Sequence, residues 1–147
     1  MGMYDTFETD PTREQEGVYL DYGDFRIRVA HAGQGNKRYV AYAEKALRPV
    51  RQAMNAGALS NERSLSIMAD VYAKTIVLDW QVAQKNEDGT ISWKTGIEAR
   101  DGSIQPFTTQ TVEATLKALP NLFSDIQQQA SSIANFRRAE LEEEAGN

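Results

Sequence analysis

The sequence predicts an α+β fold that is mainly α: a small helical bundle with an N-terminal β-hairpin packed on it. Three observations lead there. The stretch "VYLDYGDFRIRV" alternates apolar and polar residues on both sides of Gly23-Asp24. Two long segments, about residues 37–55 and 61–83, repeat their apolar residues at helical spacing. A third helical pattern occupies "LPNLFSDIQQQASSIANFRRAELEEE", residues 119–144. With 147 residues and no break in composition, the chain is read as one domain of residues 17–141 between two acidic tails. A chain of that size buries roughly two-thirds of the surface its unfolded form exposes.

Residues 1–16 carry Asp5, Glu8, Asp10, Glu14 and Glu16 against Arg13, with few apolar anchors, and are read as a flexible acidic N-terminal tail. The hairpin of residues 17–31 follows. With Gly23-Asp24 as a two-residue loop, Tyr22 faces Phe25, Leu20 faces Ile27 and Val18 faces Val29, while Asp21 lies opposite Arg26 on the other face. Such a ribbon is marginal alone, so its apolar face is expected to lie on helices.

The first long helix, about 37–55, places Tyr39, Val40, Ala43, Leu47, Val50 and Met54 on one side and Lys37, Arg38, Lys45 and Arg48 on the other. Pro49 sits inside it, which predicts a kink or break near Leu47–Arg48. Gly57 ends the segment, and Ser60 or Asn61 caps the next helix, about 61–83. That helix carries Leu65, Met68, Tyr72, Ile76 and Trp80 on one stripe, with Ile67, Val71 and Leu78 toward a second, as suits the central helix of a bundle. Residues 84–106 read as a long loop with turn signals at Asp88-Gly89 and Asp101-Gly102 around short β-like pieces, in which Ile91, Trp93 and Ile97 form a small flap. Thr108 or Thr109 starts a short helix of residues 109–118, and Pro120 opens the last one, 120–141. Residues 142–147 are read as a flexible acidic C-terminus.

Several classes of chemistry are excluded by composition. There is no cysteine, so disulfides, thiolate zinc sites and cysteine nucleophiles are ruled out. His31 is the one imidazole, with no nucleophile near it in sequence, and reads as a surface residue at a strand end. The stretch "AGQGNKR" resembles a phosphate-binding loop but lacks both the Gly-Lys-Ser/Thr run and the third glycine of the dinucleotide fingerprint. No His-plus-carboxylate spacing suits a metal. The expectation is a protein that is no enzyme and takes no cofactor. A net charge of −5 disfavours non-specific nucleic-acid binding. No apolar run approaches the roughly 18 residues of a membrane span, and the N-terminal segment lacks the order of a signal peptide, so a cytoplasmic location is expected.

Two surfaces remain as partner-binding candidates. From Lys37 to Arg51 there are five positive residues against Glu44 alone, which reads either as a solvated face or as a partner surface formed by Lys37, Arg38, Lys45 and Arg48. In the last helix, Ile133 and Phe136 fall beyond the turns that dock on the core and are candidates for an exposed apolar contact. Its other side, with Gln127, Gln128, Ser131, Ser132 and Asn135, is uncharged, and is either a solvated back face or one that hydrogen-bonds a partner without desolvating charge.

Taken in order, "GVYLDYGDFRIRVAHAG", "NKRYVAYAEKALRPVRQAM", "ADVYAKTIVLDW" and "LPNLFSDIQQQASSIANFRR" resemble the tail assembly chaperones of long-tailed, siphovirus-type bacteriophages. The resemblance covers roughly residues 17–140 and rests on the order of the four segments, notably "VYAKTIVLDW" and "LFSDIQQQA". It implies a protein of the host cytoplasm that binds the tape measure protein, keeps it soluble, promotes tail tube assembly around it and is absent from the mature virion. It also implies, in many relatives, a longer form made by ribosomal frameshifting that recruits the tail tube protein. Self-association fits this role. The alternative is a structural tail connector or completion protein retained in the particle.

Overall fold

The computed structural model describes residues 2–137. Its first elements are helices α1 (Met3–Phe7) and α2 (Pro11–Glu16), where the sequence reading puts a flexible tail. Asp10 makes α2 possible: its side chain accepts hydrogen bonds from the Thr12 and Arg13 amides, and Pro11 supplies a ready-made first-turn φ. The segment is also tied to the far end of the chain. The Asp10 amide donates to the Phe136 carbonyl at 2.8 Å, Thr9 bridges to Arg137, and Asp10 and Glu14 are buried. Acidic composition concealed an Asp-Pro start signal, and two of the partners that hold the segment, Phe136 and Arg137, lie more than a hundred residues away.

Strands β1 (Val18–Asp21) and β2 (Phe25–Val29) pair antiparallel in the expected register, with Val18 opposite Val29, Leu20 opposite Ile27 and Asp21 opposite Arg26. Gly23, at φ +88°, supplies the turn conformation that side chains rarely adopt. The sheet does not stop at two strands. Helix α5 (Asn61–Thr75) ends well short of residue 83, and β3 (Val77–Lys85) takes the rest of the expected helix. Ile76, Leu78 and Trp80 fit a helical stripe, but Thr75-Ile76-Val77 is a β-branched run, and β2 offers a row of unpaired backbone groups. Trp80 lands directly opposite Ile27.

The expected long loop at 84–106 is likewise structured. β4 (Ile91–Thr95) completes a four-stranded antiparallel sheet of order β1-β2-β3-β4, and β5 (Ile97–Glu98) pairs with β6 (Ile104–Gln105). Its two turns are closed by Asp88 and Asp101, which accept from the Thr90 and Ser103 hydroxyls and amides. Those bonds hold both carboxyls below their ordinary pKa.

Asn36 caps α3 (Lys37–Leu47), Pro49 turns residues Arg48–Val50 into a 3₁₀ turn, and the short α4 (Arg51–Asn55) follows. Ser60 caps α5, Thr108 caps α6 (Thr109–Ala118), and Pro120 opens α7 (Pro120–Ser131). α7 ends at Ser131 rather than 141. Ser132 leaves the helical conformation, a 3₁₀ turn spans Ile133–Asn135, and the Asn135 side chain donates to the Gln129 carbonyl in place of a continuing helix. The remainder of the expected helix and the acidic C-terminus lie outside the described residues.

The fold is α+β and mainly helical. α5 packs between α3 and α6, and the inner sheet face closes the other side of the core. Ile27, Val29, Ile76, Trp80, Val112, Leu116, Phe123 and Ile126 are all buried there, each such side chain contributing about 1.5–3 kcal/mol. Tyr72 stands edge-on to both Tyr39 and Phe123, which ties α5 to α3 and α7. Tyr22 stacks on Phe25 and donates its hydroxyl to Asp125 of α7 at 2.6 Å; burial first, and that bond second, push its pKa well up.

Candidate partner-binding surfaces

Lys37, Arg38, Lys45 and Arg48 are all exposed along α3 and the turn after it. Their charges are not equally engaged. Arg48 lies 3.9 Å from Glu44 one turn back, and the Arg38 guanidinium donates to the Lys74 carbonyl in the last turn of α5, where intrahelical partners have run out. Among the described residues no ion pair involves Lys37, Lys45 or Arg51.

Between α3 and α5 runs a groove made of two adjoining cavities of about 560 and 570 Å³ that share Tyr42, Lys45 and Lys74. Ala46, Pro49, Ser66 and Ile67 line one end; Arg38, Ala41, Thr75 and Thr109 line the other. Lys74 Nζ donates to the Tyr42 hydroxyl at 2.8 Å, which donates in turn to Asp70 at 2.7 Å. Hydrogen bonds to Tyr42 first, and to Asp70 next, raise the Lys74 pKa to about 12, so it stays an ammonium. The groove thus combines an apolar floor with a cationic rim at its Arg38 end and, at the other, the carboxylates of Asp70 and Glu113 beside Lys45 and Lys74.

Ile133 and Phe136 do not share a surface. Ile133 is 38% exposed in the 3₁₀ turn, whereas Phe136 is 0% exposed, its ring 4.6 Å from that of His31. Phe136 is therefore a core residue: once α7 stops, the chain folds back and carries the ring inward against His31, while its carbonyl meets the Asp10 amide before α2. On the uncharged side of α7, Gln128 and Ser131 are exposed and Gln127, Ser132 and Asn135 are half-buried.

His31 is also a correction to the sequence reading, because it is buried rather than on the surface. Its Nδ1 lies 3.0 Å from Glu14 Oε1, which accepts the Thr9 hydroxyl at 2.7 Å. The glycines of "AGQGN" close over this pair. A Cβ at Gly33 would come within 2.5 Å of the His31 ring, and one at Gly35 within 2.9 Å of the Glu14 carboxylate. The close approach, rather than a phosphate, accounts for both. Gly33→Ala is expected to lower stability by about 1–3 kcal/mol through overpacking, read as a shift in the urea midpoint, with an exposed control such as Gln34→Ala near zero.

Sequence reasoning missed two surface features. Met3, Tyr4 and Phe7 of α1 are exposed, and their i, i+1, i+4 spacing was the available signal. On the outer sheet face the Arg26 guanidinium sits between the Tyr19 and Trp93 rings, at 4.4 and 4.3 Å, a stack that needs the β1-to-β4 order to exist. Among the described residues no His, Asp and Glu cluster is placed to hold a metal ion, and no helix is long and apolar enough to cross a membrane.

The sequence model of a family described as YdaY prophage protein matches residues 34–147, from the loop before α3 onward. The chain belongs to the YdaY prophage protein family. It is phage-derived. The matched span includes the whole α3–α5 groove of this YdaY-family chain, while α1, α2 and the β1–β2 hairpin precede it. No curated protein and no solved structure matches.

Proposed function

We propose that this YdaY-family chain is a tail assembly chaperone without enzymatic activity or cofactor. In this reading it works in the host cytoplasm, binds the tape measure protein, keeps it soluble and promotes assembly of the tail tube around it. Phage origin and the resemblance of its segments to such chaperones support the reading. The observation that carries it is the groove between α3 and α5, apolar in its floor, with Arg38 and Lys45 at one end outside any ion pair among the described residues, Lys74 paired with Asp70 at 3.2 Å, and Glu113 lining the other end. A long helical client with exposed apolar stripes is covered by many copies of such a surface, each binding with modest affinity. Arg38 and Lys45 line the groove and Lys37 and Arg48 extend the basic row beyond it, with Ile133 as a separate apolar point; Phe136 is too deeply buried to take part.

Co-expression with the tape measure protein of the same phage tests this. The client should move into the soluble fraction and co-purify with the chain, and Lys37→Glu with Lys45→Glu should weaken co-purification at unchanged melting temperature. A client equally soluble without the chain overturns the reading. Recovery of the chain in purified particles favours a connector instead.

A further inference from the structure

α1 has an unusual surface for its size. In this five-residue helix Met3, Tyr4 and Phe7 are 69%, 70% and 66% exposed, and Asp5 and Glu8 lie beside them. So short a helix with its large apolar side chains in water is marginal by itself. Behind it, the chain is anchored: Thr9 bridges to Arg137, and the Asp10 amide holds the Phe136 carbonyl. α1 is therefore presented on a fixed base as an acidic, apolar-tipped peg.

The α3–α5 groove is the complement of that peg. Ala41, Ala46, Ile67 and the Tyr42 ring give it an apolar floor, and its two cavities, about 560 and 570 Å³, fall in the range of roughly 300–1,000 Å³ that accommodates ligands of several ring-sized groups. Arg38, Lys45 and Lys74 supply positive charge at one end, where α6 also begins, with no acidic residue in its first turn. The peg and this end of the groove carry opposite charge, the carboxylates of Asp70 and Glu113 lining the other cavity, where Asp70 meets Lys74, and the exposure of Met3, Tyr4 and Phe7 shows that a chain's own groove does not receive them.

We propose that α1 of one copy docks in the α3–α5 groove of a second copy. Met3, Tyr4 and Phe7 enter the apolar floor, and Asp5 and Glu8 face Arg38, Lys45 and Lys74. Because each copy offers one peg and one groove, the contact is head-to-tail, so copies link into a ring or an open chain. The contact is small, so association depends on concentration, and its charge component makes it weaken with salt. This inference goes beyond the chaperone reading and does not depend on it.

Sedimentation velocity of the full chain over a concentration series tests the proposal. The mass is expected to rise with concentration and to fall back on added salt. Tyr4→Ser with Phe7→Ser removes the peg, and Lys45→Glu reverses a rim charge; each variant should stay monomeric with an unchanged melting temperature. Should Lys45→Glu cost stability, Ala41→Arg fills the floor and carries the same test. A mixture of the peg variant and the groove variant retains one intact contact and should form a one-to-one dimer and nothing larger. A wild-type chain that is monomeric throughout, association that survives either variant, or a mixture that stays monomeric would each overturn the proposal. Loss of client solubilisation with this self-association intact would sink the chaperone reading alone.

Discussion

Ile27→Asp is expected to abolish most of the stability of the fold, on the order of 4 kcal/mol or more, against total stabilities of about 5–15 kcal/mol for domains of this kind. Ile27 is fully buried in the middle of the sheet, with Leu20 across one ladder and Trp80 across the other. A carboxylate there has no cation to meet and no water to solvate it. Its neighbour in sequence is a sharp control. Arg28 faces the opposite side, across from Tyr19 and Asp79, and donates to the Glu16 carbonyl. Arg28→Asp loses that bond and places a like charge near Asp79, for about 1 kcal/mol. Chemical denaturation of the two variants checks the assignment, and equal losses would mean that Ile27 does not face the core.

Phe136→Ala should cost about 3–5 kcal/mol, the range for deleting a fully buried aromatic ring and leaving a cavity. The ring is 0% exposed and covers His31, and its own carbonyl receives the Asp10 amide, so its removal loosens α2 and the turn after α7 together. Faster proteolytic cleavage around α2 should accompany the fall in urea midpoint. Ile133→Ala, at a site 38% exposed, is expected to stay within about 1 kcal/mol. Similar losses for the two would mean that the turn does not deliver Phe136 to the core.

These two residues also show where reading the chain stops short. Ile27 was legible as an inward residue because a turn and an alternating pattern, both local, agree on one register. Phe136 was not, because its helical spacing from Ile133 is real in sequence but the helix ends before either residue. The candidate surface divides the same way. The basic row from Lys37 to Arg48 follows from helical spacing alone, whereas Tyr42, Asp70, Lys74 and Thr109 enter the groove from three separate helices.

By itself the sequence determined the features whose hydrogen bonds close within a few residues: the Gly23-Asp24 turn, the break at Pro49, the start of α7 at Pro120 and, to within one residue, the caps that the structure places at Ser60 and Thr108. Tertiary structure alone decided the rest. Val77–Lys85 is apolar enough for a helical stripe and β-branched enough at its start for a strand, and the open edge of β2 settled the matter by supplying backbone partners along its length. Residues 3–16 carry too few apolar groups to announce a fold. Helix α2 is held there by His31 and by Phe136 and Arg137, and the last two contacts exist only once both ends of the described chain have been brought together.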